Sequence, residues 1–205
     1  MGDSASVFVY RRKCAQGFNA QWLHVKKKTK YYKERNEEVR RAHKETIASI
    51  QEETIIYIDE TGIEESLHRD KCRAKRGEKV YSGVSGRKYH RTNIVAGLCC
   101  GRLIAPMEYA GTTDHIIFET WFERVLLAKS PVGSTFVMDN ASFHRKGTLN
   151  ELAQRGHCRV VFLPAYSPDY NPIENTWANL KTFLRNYACR FHSLQDAITD
   201  YFKTE

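Results

Sequence analysis

Five short apolar runs, set among glycine-rich loops and helical repeats, restrict this chain to a sheet-centred fold. TIIYIDE (54–60) is β-branched and ends in carboxylates. TNIVAGLCC (92–100) and LIAPMEYAG (103–111) flank the turn Gly101-Arg102, and TFVMD (135–139) and CRVVFLP (158–164) follow. Runs of this length and composition predict strands. Between them the period changes. Ile117, Trp121, Val125 and Leu126 recur at helical spacing within 114–129, as do Ile173, Trp177, Leu180 and Leu184 within 172–187. A third helix is expected over 142–155. The order β, β, β, α, β, α, β, α describes a hairpin meander followed by alternating units. The sheet is therefore expected to be mixed, its alternating part parallel with right-handed crossovers.

That is the element order of the ribonuclease H-like fold: α/β, a mixed five-stranded sheet flanked by helices. In this arrangement the first strand and the first strand after a helix can be neighbours. Asp59 ends one of these strands, Asp139 ends the other, and Glu174 opens the last helix. Hydrolysis or transfer of a phosphodiester requires an activated attacking oxygen and neutralised charge on the entering and leaving oxygens. Two metal ions about 3.5–4 Å apart meet both needs, and hard cations such as Mg²⁺ take oxygen ligands. Three carboxylates on rigid elements suit that task. Each also has a structural reading. Asp59 could bond a turn at its strand end. Asp139 could cap the following helix. Glu174 could be the N3 residue of a capping box opened by Asn171. Asn140 and His144 could touch a metal-bound water or a phosphate, or serve as local hydrogen-bonding residues. Trp177 reads as core rather than as a base-stacking platform.

Charge is segregated along the chain. The net charge is +8; residues 1–50 hold 12 Lys/Arg against 5 Asp/Glu, and residues 69–91 hold 9 against 2. Two basic segments on an otherwise balanced chain point to a polyanionic partner. The segment 69–91 leaves the sheet beside Asp59, so Arg73, Lys75, Arg76, Lys79, Arg87 and Lys88 are candidate phosphate contacts, with Lys181 two turns beyond Glu174. Residues 26–48 are helix-prone but carry almost no apolar stripe, which predicts a linker or an exposed helix. The organisation expected is a basic extension and linker over 1–50 and a catalytic domain over 51–205 with a basic insertion at about 61–90. No run of 18 apolar residues is present, so no membrane span is predicted. The six cysteines form no C-x-x-C pair; a zinc site is not expected, and a reducing, cytoplasmic setting is the plain inference.

IDETG (58–62), FVMDNASFH (136–144) and LPAYSPDYNPIENTWANLK (163–181) resemble the three catalytic blocks of mariner-type transposases and their bacterial insertion-sequence relatives. The 34 residues between Asp139 and Glu174 match the spacing of that superfamily. The resemblance covers about residues 24–205. It implies that Asp59, Asp139 and Glu174 are an Asp-Asp-Glu triad, that the cofactor is Mg²⁺ or Mn²⁺, and that the reaction is DNA cleavage followed by strand transfer. The implied target is commonly a TA dinucleotide, and the implied setting is a bacterial cytoplasm. Relatives carry a helix-turn-helix reading domain before the catalytic domain, whereas about fifty residues precede Asp59 here. The chain thus resembles the second frame of a split element or a truncated copy, with a homodimer or a partner polypeptide carrying the reading domain expected. Two other functions are compatible with the residues: a metal-dependent nuclease without strand transfer, and a catalytically idle DNA-binding fragment.

Overall fold

The computed structural model describes residues 32–65, 74–75, 77–81, 83 and 90–204. Five strands form one sheet in the order β3-β2-β1-β4-β5. They are β1 (Ile55–Glu64), β2 (Arg91–Cys99), β3 (Arg102–Ala110), β4 (Thr135–Met138) and β5 (Arg159–Phe162). The β1–β2 and β2–β3 pairs are antiparallel; β1–β4 and β4–β5 are parallel. This is the mixed ribonuclease H-like sheet that the element order predicts, with β1 at its centre.

Side-chain alternation divides the core. Ile56, Ile58, Phe136 and Met138 pack on one face with Phe118, Trp121 and Phe122. Those aromatics come from α2 (His115–Trp121), which runs on through a π-helical stretch (Phe122–Leu126) into α3 (Leu127–Lys129). Leu149 and Leu152 of α4 (Lys146–Arg155) complete that face. The other face buries Ile94, Ala96 and Leu98 against Ile173, Trp177, Leu180 and Leu184 of α5 (Ile173–Tyr187), backed by Ala197 and Ile198 of α6 (Leu194–Thr204).

Three boundaries differ from the sequence-based expectation. Strand β1 extends to Glu64, paired with Arg91, beyond the expected end near residue 60. Gly62, within the stretch expected to be a basic insertion, lies in the strand instead, and a Cβ there would lie 2.1 Å from Arg91 Nε; the glycine makes room for the guanidinium. The β2–β3 hairpin closes on Cys100 and Gly101, with φ of 49° and 77°, since Cys99 pairs with Arg102. Two central residues with positive φ are what a tight hairpin turn demands. Finally, α4 starts at Lys146 rather than 142, because residues 139–144 form a turn in which the His144 N–H donates to the Ala141 carbonyl at 3.0 Å.

The helix-prone segment without an apolar stripe forms α1 (Glu37–Ala48), capped by Asn36, whose Oδ1 accepts the N–H groups of Glu38 and Val39. Its one buried residue is Arg40, 5% exposed. The guanidinium donates to both carboxylate oxygens of Asp169, at 3.0 and 2.7 Å, and lies 3.9 Å from the centroid of the Tyr170 ring. A buried guanidinium thus replaces an apolar stripe, a substitution that periodicity does not detect. Removing it breaks the two bonds to the exposed Asp169 and uncovers the ring. Arg40→Ala is expected to cost about 1–3 kcal/mol, and Glu37→Ala, at an exposed ion pair, under about 0.5 kcal/mol. Urea denaturation of the two variants checks this; equal, small effects would contradict it.

Candidate active site

Two adjacent parallel strands bring two carboxylates to one end of the sheet. Tyr57 of β1 pairs with Val137 of β4, so two residues further along each strand the chain reaches Asp59 and Asp139. Their neighbours Ile58 and Met138 point into the core beneath α2 and α4. Alternation therefore turns Asp59 and Asp139 toward the opposite face, the one covered by α5, whose first turn carries Glu174. The three carboxylates line a single open cleft of about 450 Å³ with Asn140, Leu163 and Tyr166.

Asp59 is half-buried, and its Oδ2 accepts a hydrogen bond from Trp177 Nε1 at 3.1 Å. Trp177 is 2% exposed, so it is a core residue, as its place in the α5 stripe predicts. Its polar edge has a second consequence, the fixing of Asp59, that helical periodicity alone does not indicate. Burial, and then the negative charges of Glu60, Glu174 and Asp139, push the Asp59 carboxyl up to about 8.

Asp139 is held differently. Its Oδ1 accepts the Ala141 N–H at 2.9 Å and lies 3.1 Å from His144 Nδ1. His144 is 5% exposed, packed against Phe118 and Phe143, and its Nε2 sits 3.2 Å from Glu60 Oε1. Burial on its own would lower the imidazole pKa, but the bonds to Asp139 and Glu60 outweigh it and raise it to about 9. The bond with His144 in turn holds the Asp139 carboxyl below the ordinary carboxylate range. His144 is therefore the local hydrogen-bonding residue of the two sequence readings, a buried strut joining Asp139 to Glu60. The Asp139-to-His144 link, five residues apart, and the role of Glu60 leave no sequence pattern of their own.

Glu174 does not form the capping box. Pro172 is the N-cap, and Asn171 donates its side-chain amide to the Ile58 carbonyl at 3.1 Å. The Glu174 side chain is exposed and lines the cleft. Asn140 lines the cleft and donates to the Leu163 carbonyl. Of the candidate phosphate contacts, Lys75 and Lys79 are exposed and Lys181 is half-buried on α5. Arg73, Arg76, Arg87 and Lys88 lie outside the described residues.

The donor set fits a hard divalent cation by its chemistry. Asp59, Asp139 and Glu174 offer only carboxylate oxygens, and burial of Asp59 among like charges leaves positive charge wanting. The shell is not closed: among the described residues no three His, Cys, Asp or Glu side chains are grouped so as to hold one ion. No helix of the described residues is long and apolar enough to cross a membrane.

Similarity to known proteins agrees with this fold. The Tcb2 transposable-element transposase of Caenorhabditis briggsae is 33% identical over 113 residues, covering 50% of this chain and 41% of that protein. A Mos1 transposase paired-end complex with the left transposon end superposes with a TM-score of 0.69 at 18% identity, covering 90% of this chain and 60% of the other. A Mos1 mariner paired-end complex with Mn gives 0.68 at 18% identity, covering 90% and 61%. The chain thus spans less than half of its curated nematode relative and about three fifths of the Mos1 chain, and the Mos1 likeness is one of fold. The decisive match is to the DDE superfamily endonuclease model, which aligns with residues 54–197. That span holds all five strands and all three carboxylates, and the chain belongs to the DDE superfamily endonuclease family.

Proposed function

We propose that residues 51–205 are the catalytic domain of a transposase that cleaves DNA and joins the freed end to a target, with Asp59, Asp139 and Glu174 as its metal-binding catalytic residues. The observation that carries this reading is the convergence of the three carboxylates on one cleft, where burial and then the neighbouring negative charges hold the Asp59 carboxyl well above the ordinary carboxylate range. Mg²⁺ or Mn²⁺ ions bound there, two by preference, would activate the attacking oxygen and neutralise charge on the entering and leaving oxygens. The chain's own residues prepare the site. Trp177 aims one oxygen of Asp59, His144 keeps Asp139 ionised and oriented, and the exposed Glu174 side chain lines the cleft from the first turn of α5. The Mn in the Mos1 complex is consistent with this choice of metal.

DNA is the proposed substrate at both steps, bound through the basic segments 1–50 and 69–91, with a homodimer or a partner polypeptide supplying sequence reading. Residues 1–50 act as basic extension and linker. The described cysteines Cys99, Cys100, Cys158 and Cys189 are free thiols, which fits the cytoplasmic setting proposed. The bacterial host is proposed from the insertion-sequence resemblance alone, beside a curated relative that is nematode.

Incubation with supercoiled plasmid and Mn²⁺ tests the reading. Wild type is expected to nick it, with Asp59→Asn, Asp139→Asn and Glu174→Gln each lowering the rate at least about a hundredfold. Supplying a pre-cut element end separates transposase from nuclease: joined products support strand transfer, and cut but unjoined products mark a nuclease. Metal-independent nicking retained by all three variants would contradict the assignment.

A further inference from the structure

Tyr32 and Tyr166 stand at the same cleft as the three carboxylates, and neither is used by the chemistry above. Their rings lie 5.2 Å apart, centroid to centroid, tilted by 35°. Tyr32 is 57% exposed and Tyr166 49%. A pair that served only to pack would bury its outer faces, and these remain open. Tyr166 also has φ of 58°, a left-handed backbone that costs a non-glycine residue roughly 1–2 kcal/mol. Among the described residues four non-glycines have positive φ, and of these Tyr166 alone lines the cleft. Strain concentrated at a cleft, on a side chain that packs incompletely, points to a ligand-facing role.

The charge of the cleft suggests which part of a DNA strand this is. The basic segments draw in the DNA backbone, but the acidic lining of the cleft itself disfavours phosphate until cations bind, so the part of a strand held against the cleft wall before metal is best a neutral group. A nucleobase is such a group, and base-on-aromatic stacking does not depend on net charge. The cleft, at about 450 Å³, falls within the size range of small-ligand sites and can accept one unstacked nucleotide. We propose that Tyr32 and Tyr166 form a stacking platform for an unpaired nucleobase beside the scissile phosphate. This assigns the pair to the strand end rather than to the phosphate, and it rests on the phosphodiester reading of the cleft.

The test uses the full chain in EDTA with two oligonucleotides. One is a duplex whose single-stranded end carries a fluorescent adenine analogue that is quenched by stacking; the other is the fully paired duplex. Tyr166→Gly is the safe variant, because glycine takes positive φ without strain, and its melting temperature is expected to equal or exceed that of wild type. Wild type is expected to quench the analogue. Tyr166→Gly and Tyr32→Ala are expected to lose the quench and to bind the single-stranded end at least about fivefold more weakly, with paired-duplex affinity changed by less than about twofold. Tyr166→Trp retains the quench. The proposal is overturned by wild-type quench and affinity in Tyr166→Gly, by equal losses on both oligonucleotides, or by no quench in wild type. Plasmid nicking reports separately on the phosphodiester reading. Nicking without a quench sinks only the platform, and a Tyr-dependent quench without nicking sinks only the chemistry.

Discussion

Stripped of divalent cations, the protein is expected to melt at progressively lower temperature as pH rises from about 5 to about 8, and Asp59→Asn is expected to remove most of that slope. The Asp59 carboxyl, near 8 when folded against an ordinary value of 3.8, keeps its proton where the unfolded chain has lost it. Between those values the folded state binds more protons, so its stability falls as pH rises. His144, raised from 6.5 to about 9, adds a loss of the same sign above pH 6.5. The lowered Asp139 acts only below its ordinary 3.8, outside the window. At about 1.4 kcal/mol per pH unit, and allowing for relaxation of a half-buried group, the loss is roughly 2–4 kcal/mol by pH 8. That corresponds to roughly 5–10 °C for a domain of this size. Asparagine still accepts the Trp177 N–H but carries no charge. Asp59→Asn is therefore expected to outlast the metal-free wild type at pH 8, with the order reversing when Mn²⁺ is added. Calorimetry across the pH series in EDTA checks this; a wild-type slope retained in the variant would refute the burial account of Asp59.

Asp139→Asn is expected to behave in the opposite way. From sequence, three clustered carboxylates repel, and neutralising any one of them should leave the metal-free protein as stable or slightly more so. The geometry separates the two aspartates. Asp139 is the partner of a buried imidazolium, so its neutralisation leaves His144 with Glu60 alone. A loss of about 1–3 kcal/mol near pH 6 follows, together with the loss of nicking. The cost should shrink as pH approaches 9 and His144 gives up its charge. Urea denaturation at the two pH values measures it. A stability equal to wild type at both would show that Asp139 does no more than close the Ala141 turn, a task that asparagine performs as well.

Residue patterns carried the fold and the meeting of the three carboxylates at one cleft for a definite reason. Strand identity follows from β-branched runs, helix faces from the recurrence of Ile173, Trp177, Leu180 and Leu184, and the juxtaposition of Asp59 and Asp139 from strand order alone. Features built across the sequence were not legible. Arg40 and Asp169 meet across 129 positions, and neither residue type advertises a buried pair. Trp177 reaches Asp59 across 118 positions, and His144 reaches Glu60 across 84. Gly62 falls in the expected insertion because nothing local reveals the Arg91 guanidinium beside it. Glu174 illustrates the converse. Asn-Pro-Ile-Glu is a sound capping-box pattern, yet the Asn171 side chain is drawn to the Ile58 carbonyl instead, and the glutamate is left at the cleft.

The central claim is that Asp59, Asp139 and Glu174 act as one divalent-cation site. Calorimetric titration of the metal-free protein with Mn²⁺ tests it most directly, since it requires neither DNA nor turnover. Wild type is expected to bind, with protons released from Asp59 in the buffer range near pH 7, and Asp59→Asn, Asp139→Asn and Glu174→Gln each to bind at least about tenfold more weakly. Wild-type affinity for Mn²⁺ in all three variants would contradict the account.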